Sequence, residues 1–341
     1  MRKLALDRLD TLFAAIAAEH TLYLPVDGKA GAKFEKWEDG KVLSDVLNTV
    51  RSPKDFFFPQ TENLMDFKTE GKKIEIIDTR EECEDFVIFG VRACDVRSFE
   101  VLDRVFLAEP ADSYYENRRK HGILVSLACN KPLETCFCGT FGIDAAAPEG
   151  DIVCHKTADA LYLDAKTEKG EALLKALEAV TEDADAAPVE EQKAVIRERL
   201  AKLPLADLSA DAFGAGKTDA FFDAPEWAEL SESCLGCGTC TFVCPTCQCY
   251  DIKDFNTGHG VKRFRCWDSC MYSDFTKMSA GQPRLTQKER FRQRFMHKLV
   301  YYPTNNDGLF SCVGCGRCVA KCPIHMNIVK VMKKLGGRAN G

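Results

Sequence analysis

Eight cysteines near the C-terminus constrain this chain more than any other feature, because one spacing pattern occurs there twice. In each copy two residues separate the first three cysteines from one another, three residues precede the fourth, and a proline follows it. The first copy contains Cys234, Cys237, Cys240 and Cys244, and the second contains Cys312, Cys315, Cys318 and Cys322. Glycines between the cysteines allow the tight backbone curl that brings three thiolates to one point. The repeat therefore predicts two similar sites on curled loops.

This spacing is the bacterial ferredoxin pattern, in which the first three cysteines of a copy hold one [4Fe–4S] cluster and the fourth ligates the other cluster. We therefore expect Cys322 to complete the cluster of the first copy and Cys244 to complete that of the second. Structural zinc usually takes four ligands from paired cysteines or histidines and does not call for this spacing twice. We favour two [4Fe–4S] clusters and keep a zinc-stabilised binding module without a redox role as an alternative.

Length and cysteine content bound the class of protein. The 341 residues allow two or three domains. The 18 cysteines would suggest a disulfide framework in a short secreted chain, but the first residues lack the apolar core of a signal peptide. No apolar run reaches the length that spans a bilayer. We therefore expect a cytoplasmic protein, in which clustered cysteines indicate metal sites.

Charge is distributed unevenly along the chain. Residues 225–341 hold 17 Lys and Arg but only 9 Asp and Glu, although the whole chain has a formal net charge of −6. A basic segment can indicate nucleic-acid binding. An oxidised four-thiolate [4Fe–4S] centre carries roughly −2, however, so two such centres favour cations nearby. We therefore expect no nucleic-acid partner.

The N-terminal part is typical of an α/β domain. Strands are predicted at 21–26, 33–37, 74–78, 86–91, 123–128 and 160–164, with 74–78 and 86–91 buried and 160–164 at an edge of the sheet. Helices are predicted at 4–19, 44–51 and 96–106, and the proline-bracketed stretch 53–59 is predicted to be a buried loop or a short edge strand. Strands that alternate with helices imply a mostly parallel sheet.

Four further cysteines follow two of these strands. Cys94 comes after strand 86–91, and Cys129 comes after strand 123–128, at the carboxyl ends where open α/β sheets place ligands. Cys136 and Cys138 arrive on the next loop. These four are candidate ligands of a third Fe–S cluster. The alternative is that they are small buried apolar residues, which free cysteines often are.

The middle of the chain and the segment between the two motifs are predicted to be helical. Residues 166–228 are rich in Ala, Asp and Glu, with helices at 171–181 and 189–202. Helices are also expected to fill 245–311, where Phe291, Phe295 and Leu299 form one helical stripe. The cations off this stripe indicate either a solvated face or a docking face, and they are Arg290, Arg292, Arg294 and Lys298. The spacing of four more cysteines matches no pattern, and these are Cys247, Cys249, Cys266 and Cys270.

Nucleotide-binding motifs are missing from the sequence. No G-x-G-x-x-G run follows a predicted strand, and no Walker A run is present. We therefore expect nicotinamide oxidation or reduction to take place on another chain.

The chain resembles the Fe–S beta subunit of cytosolic sulfhydrogenases and is similar to the A subunit of anaerobic sulfite reductase. Besides both cysteine motifs, the matching stretches are 53–59, 91–95, 135–138, 244–249 and 267–270. The resemblance implies a subunit that relays electrons. Its partners would be an FAD- and NAD(P)-binding subunit on one side and a catalytic subunit, such as a hydrogenase or a sulfite reductase, on the other.

These observations predict an α+β protein in three parts. Residues 1–165 form an α/β domain with a mostly parallel sheet and the possible third cluster, 166–228 form an acidic helical linker, and 229–341 form an α-helical ferredoxin domain with two [4Fe–4S] clusters. The predicted function is electron transfer within an oxidoreductase complex, with no catalytic residue assigned to this chain. The alternative is a self-contained flavin-dependent oxidoreductase with its site in the N-terminal domain.

Overall fold

The computed structural model describes residues 1–46, 48–80 and 83–338, which form two β-sheets surrounded by helices. The strands are β1 (Arg2–Ala5), β2 (Thr21–Val26), β3 (Lys33–Lys36), β4 (Thr61–Glu70), β5 (Lys73–Asp78), β6 (Phe86–Val91), β7 (Gly122–Leu127), β8 (Ile152–Lys156), β9 (Ala160–Ala165), β10 (Glu182–Asp183), β11 (Tyr250–Asn256) and β12 (Gly260–Trp267). The α-helices are α1 (Leu9–Ala17), α2 (Ala93–Phe106), α3 (Ser113–His121), α4 (Glu168–Ala176), α5 (Ala187–Ala201), α6 (Thr218–Phe221), α7 (Glu226–Glu232), α8 (Thr239–Phe242), α9 (Gln287–Met296), α10 (Tyr302–Asn305), α11 (Arg317–Lys321) and α12 (Ile328–Arg338). In these described ranges no helix is both long and apolar enough to cross a membrane.

The large sheet has eight strands in the order β10-β1-β9-β8-β7-β6-β2-β3. The neighbours β2, β6, β7 and β8 run parallel to one another, whereas the outer pairs are antiparallel. β6 and β7 are buried along their whole length, as expected for strands covered on both faces. The predicted parallel sheet is thus present as the centre, and antiparallel strands extend it on both sides.

Alternate residues of β6 enter the cores on the two faces of the large sheet, because successive side chains of a strand point to opposite sides. Phe89 packs into the core that α1 covers with Phe13. Ile88 belongs to the opposite core, where Phe99 of α2 meets Phe57 with ring centroids 4.7 Å apart. The two cores fix the carboxyl end of β6, from which Arg92 and Cys94 follow.

The small sheet is antiparallel, has the order β11-β12-β4-β5, and joins distant parts of the chain. β4 pairs with β12 from Thr61 opposite Cys266 to Lys68 opposite Gly260. The Arg265 Nε atom donates to Glu62 across this pair at 2.6 Å, and both side chains are buried. The sheet was not predicted, and it is shared by the predicted segments 1–165 and 229–341.

Several predicted helices differ from the structure. Arg2–Ala5 is a strand paired with β9, so the first α-helix begins at Leu9 and not at residue 4. Of the predicted helix 44–51, the described residues 44–46 and 48–51 are irregular, and Leu47 lies outside the described residues. Asp45 there binds both Lys131 and Lys156, so tertiary contacts override local helix propensity. The stretch 53–59 begins with a 3-10 helix and buries Phe57 and Phe58.

Two predicted strands have different surroundings from those expected. Strand 74–78 was predicted to be buried, but β5 is the outer strand of the small sheet, and Ile74 and Ile76 are 68% and 63% exposed. Strand 160–164 was predicted at an edge, but β9 lies between β1 and β8. Residues 245–311 contain the β11–β12 hairpin as well as helices. The place of β9 depends on pairing with the distant β1 and that of β12 on pairing with the distant β4, whereas β5 pairs with the adjacent β4.

The segment 166–228 packs against the large sheet. Leu173 of α4 enters the core on one face, and Ile196 of α5 is fully buried against Ala128 and Ala146. The side chain of Leu200 reaches the pocket formed by the N-terminal cysteines. This helical segment therefore forms part of the wall behind those cysteines.

Candidate metal centres

The outer pocket is lined by Cys234, Cys237 and Cys240 of the first motif and by Cys322 of the second. The structure thus brings together the crossed set that the sequence predicted for one cluster. Gly238 adopts φ +72° at the start of α8, and a Cβ atom there would lie 2.7 Å from the Tyr272 hydroxyl. The motif is held from outside, because Gln287 donates to Cys234 Sγ at 3.5 Å and Tyr272 donates to the Cys237 carbonyl at 3.3 Å.

A buried arginine lines the outer pocket. Arg294 is 2% exposed, and its Nη2 atom donates to the Cys240 carbonyl at 2.9 Å. Its Nε and Nη1 atoms have no hydrogen-bond partner among the described residues. Leaving buried charged donors unsatisfied is costly, and an anionic [4Fe–4S] cluster in this pocket would compensate them. The pocket therefore fits such a cluster in both thiol number and charge.

The middle site contains Cys312, Cys315 and Cys318 of the second motif, with Cys244 of the first motif beside them. The pKa of Cys312 is raised to about 12, mainly by burial and in small part by a charge on Cys244, against the lowering effect of Lys298. Burial also raises the pKa of Cys318, which likewise senses Cys244. The Thr246 hydroxyl lies 3.2 Å from Cys244 Sγ and donates to the Ser311 carbonyl at 2.6 Å, so Cys244 lies next to the second motif, as the crossed pattern requires. Thiols with raised pKa values release their protons when they bind a metal.

Two buried lysines lie against the middle site. Lys298 is 3% exposed and donates to the Thr246 hydroxyl at 2.8 Å and to the Ser311 carbonyl at 3.1 Å. Lys54 is 1% exposed and donates to the carbonyls of Cys244 and Cys247 at 3.1 and 2.8 Å. Burial lowers the pKa of Lys54 to about 8. A negatively charged cluster nearby would favour the protonated form of both lysines.

The inner pocket is formed by Cys94, Cys129, Cys136 and Cys138, which line one cavity. All four are buried, with exposures between 5% and 7%. Cys94 lies in the first turn of α2, and Cys129 follows β7. Cys138 begins the 3-10 helix Cys138–Phe141, and Cys136 lies two residues before it. The carboxyl ends of β6 and β7 are neighbours, which is why residues from separate loops meet there.

Arg92 gives the inner pocket the same kind of charge as the outer pocket. It lines the cavity and is 2% exposed. Its Nε atom lies 3.5 Å from an Asp95 carboxylate oxygen without the geometry of a hydrogen bond, and Nη2 has no partner in the described part of the chain. Burial raises the pKa of Cys129 to about 12 and that of Cys138 to about 11, while Arg92 lowers both. The cavity therefore fits an anionic group held by four thiolates.

The second motif closes the inner pocket through two glycines. The Phe137 amide donates to the Gly314 carbonyl at 2.9 Å, and Cys315 itself lines the cavity. Gly314 and Gly316 have positive φ, and a Cβ atom at either would lie 2.3 or 2.5 Å from a carbonyl oxygen of the cysteine loop. Only glycine permits this approach. The inner pocket and the middle site are consequently in direct contact.

A buried ion pair also joins these two sites. Arg317, between two cysteines of the second motif, donates to both carboxylate oxygens of Asp95 at 2.5 and 2.9 Å and to the Thr49 carbonyl at 2.9 Å. Burial alone would raise the pKa of Asp95, but Arg317 and Arg92 hold it below its usual range. Asp95 is the residue after Cys94, so the pair ties a ligand candidate of one site to the motif of the other.

The sequence did not reveal the roles of these charged residues. Arg294 and Lys298 were interpreted as part of a solvated or docking face, but both are buried beside cysteines. Arg92, Asp95 and Lys54 were not singled out at all. Arg92 and Asp95 lie in the stretch 91–95 and Lys54 lies in the stretch 53–59, and both stretches carry the family resemblance, but a resemblance does not reveal burial.

The remaining cysteines lie outside the three sites. The Cys247 amide donates to the Cys244 carbonyl at 3.5 Å, and the Cys249 carbonyl accepts from the Asp268 amide at 2.9 Å. Cys266 lies on β12 opposite Thr61. Cys154 is fully buried on β8, and Cys83 is partly exposed. In the described ranges no three Cys, His, Asp or Glu side chains are arranged to hold one metal ion.

Comparison with known proteins agrees with the two motifs. Residues 233–326 match the 4Fe-4S dicluster domain family, which makes this segment a domain with two [4Fe–4S] clusters. The chain is 33% identical over 317 residues to sulfhydrogenase 2 subunit beta of Pyrococcus furiosus, and the alignment covers 92% of each protein. No solved structure matches it. The resemblance expected from the sequence is thereby confirmed, and the chain belongs to the family of iron–sulfur sulfhydrogenase beta subunits.

Proposed function

We propose that this chain is a cytoplasmic electron-transfer subunit with three [4Fe–4S] clusters. In an oxidoreductase complex it would connect a flavin- and NAD(P)-binding subunit with a catalytic redox subunit. The observation that carries the proposal is the inner pocket, where four buried cysteines and an incompletely bonded arginine lie in contact with the second ferredoxin motif. Each cluster, when bound, would supply a centre that accepts and releases one electron.

The side chains of this chain would perform three tasks. The cysteines of the outer pocket, middle site and inner pocket would hold the clusters. Arg294, Lys298 and Arg92 would offset the negative charge of the clusters in a dry interior, where electrostatic interactions are strong. The aromatic and aliphatic cores around them would exclude water, which sets the potential of an Fe–S centre together with hydrogen bonds and charge.

The order of the sites supports a relay. The second motif supplies Cys322 to the outer pocket, the first motif supplies Cys244 beside the middle site, and Cys315 of the middle site lines the inner pocket. Three clusters in this order would form one path through the protein.

Iron and acid-labile sulfide analysis of the anaerobically purified full chain tests the proposal. We expect about twelve irons per chain from three four-iron clusters, no bound flavin, and no oxidation of NADH or NADPH by the isolated chain. A content of eight irons per chain would rule out the third cluster. A chain that contains mainly zinc would rule out the electron-transfer function altogether. Bound flavin with nicotinamide turnover would favour the self-contained oxidoreductase.

The crossed ligation has its own test. Cys322→Ser should remove the cluster of the outer pocket and leave the signal of the middle site, as followed by electron paramagnetic resonance of the reduced protein. Loss of the middle-site signal alone would show that each motif ligates its own cluster. The partners are tested by anaerobic co-purification with identification of the subunits that bind.

A further inference from the structure

The outer pocket reaches the surface, unlike the inner pocket. Of the twelve candidate ligands, all in the described ranges, Cys237 alone is exposed. The four cysteines of the inner pocket are at most 7% exposed. Electron transfer between proteins becomes slower as the distance between centres grows, so a partner gains most by docking over the site nearest the surface.

Exposed apolar side chains lie beside Cys237 and on the neighbouring segment. Leu235, within the first motif, is 66% exposed and lines the outer pocket. Leu285 is 75% exposed and lies two residues before Gln287, which donates to Cys234 Sγ. Tyr272 is 37% exposed while its hydroxyl donates to the Cys237 carbonyl. Exposed apolar groups with a polar rim mark interaction surfaces.

The rim of this surface is basic. The three segments that line or border it, 232–241, 271–290 and 321–330, together contain six Lys and Arg and three Asp and Glu. One of the three acids, Glu289, accepts from the Thr286 amide in a capping box at the start of α9. Lys277, Lys288 and Lys321 are exposed and have no ion pair with any residue that the structure describes. These lysines are free to meet a partner's carboxylates.

We infer that the outer pocket is the docking site for a redox protein or subunit whose own centre lies beneath an acidic, partly apolar surface. The inference rests on the proposed electron-transfer function and assigns one end of the path to one kind of partner. Like charge disfavours a second copy of this chain at the same surface, because two basic rims repel each other. Opposite charge instead attracts and orients an acidic partner before contact.

The test measures electron transfer from the cluster-loaded, reduced full chain to two probes by stopped-flow spectroscopy. Rubredoxin is a small acidic iron protein, and cytochrome c is a basic haem protein. We expect the second-order rate constant with rubredoxin to fall as ionic strength rises, because salt screens the attraction. The rate constant with cytochrome c, which the acidic remainder of the chain attracts, should not fall when lysines of the rim are replaced by glutamate.

Charge reversal identifies the surface. The double variant Lys288→Glu/Lys321→Glu should lower the rubredoxin rate constant at low ionic strength by on the order of tenfold. The matched control Lys253→Glu/Lys262→Glu reverses two exposed lysines on the β11–β12 hairpin and should leave the rate within about twofold, since distant exposed charges are screened. Leu235→Ser should lower the rate constant of electron transfer to rubredoxin at every ionic strength. Ile74→Ser, on the exposed β5, should leave this rate constant unchanged.

Iron content and reduction by dithionite are measured for each variant. If the clusters are missing from the wild-type chain, the proposed function fails. The docking site alone is refuted if the clusters are present and reducible but the two double variants lower the rubredoxin rate constant equally. It is also refuted if that rate constant does not depend on ionic strength.

Discussion

The outer and inner pockets meet one chemical requirement by two routes. The outer pocket takes three cysteines from seven consecutive residues, with Cys322 as the fourth, and one of its thiols is exposed. The inner pocket collects its cysteines from the ends of β6 and β7 and from a later loop, and the second motif seals it. Each contains a buried arginine with unsatisfied donors. Local spacing forms the first site, whereas sheet topology forms the second.

The largest expected effect tests whether the inner pocket, like the outer pocket, binds a cluster. Cys94→Ser should remove the cluster of the inner pocket, a loss of about four irons per chain, and leave the outer pocket loaded. Cys154→Ser is the matched control, because Cys154 is equally buried but lines none of the three sites. Iron analysis and electron paramagnetic resonance provide the readout. If both variants contained as much iron as the wild-type chain, the four cysteines of the inner pocket would be packing residues and not ligands.

The next effect concerns the ion pair that joins the inner pocket to the middle site. Asp95→Ala leaves the buried Arg317 without its carboxylate, which typically costs about 3–5 kcal/mol. We expect a decrease of that size in the free energy of unfolding, measured by anaerobic urea denaturation of the cluster-loaded chain. A decrease below about 1 kcal/mol would show that the thiols alone hold the two parts together.

The two arginines should act separately on their own pockets. A unit charge about 6 Å away contributes about 3 kcal/mol at an effective dielectric constant of about 20, or roughly 100 mV for a one-electron couple. Removing a cation disfavours the more negative reduced state, so Arg92→Leu should lower the potential of the inner cluster and Arg294→Leu that of the outer cluster. Arg92→Lys keeps the charge and should shift the potential less. Redox titrations followed by electron paramagnetic resonance would contradict this if both variants shifted the same signal.

The smallest effect is expected far from both pockets. Arg263 and Asp254 form a two-bonded ion pair on the hairpin, and each side chain is about half exposed. Exposed pairs contribute about 0–1 kcal/mol, so Asp254→Ala should change the free energy of unfolding by no more than that. The same denaturation measurement serves as the surface reference for Asp95→Ala. A larger loss would mean that the small sheet depends on this pair.

The sequence predicted those features that depend on nearby residues. The ferredoxin spacing requires only one curled loop, so the two motifs and the family could be recognised without a structure. Strands β2 and β6 were also predicted with their observed bounds, since their apolar runs are strong local signals.

Features that depend on distant pairing were not predicted. Strand 74–78 was predicted to be buried, but it became the outer strand of the small sheet, and Ile74 and Ile76 are largely exposed. Arg294 and Lys298 look solvated on a helical projection, yet tertiary packing buries them beside cysteines. Helical periodicity predicts which residues share one face of a helix, but it does not predict whether that face contacts solvent or protein.

The small sheet imposes an order on biosynthesis. Glu62 and Arg265, which bind across it, are 203 residues apart, so the β4–β5 hairpin leaves the ribosome long before β12 exists. Chains emerge N-terminus first, and an unpaired strand edge invites aggregation until its partner arrives. The wall of the inner pocket arrives later still, because Cys315, which lines it, follows Cys136 by 179 residues. A cluster in the inner pocket would therefore be enclosed only after the second motif has been synthesised, and a chain interrupted before that point would leave the four thiols uncovered.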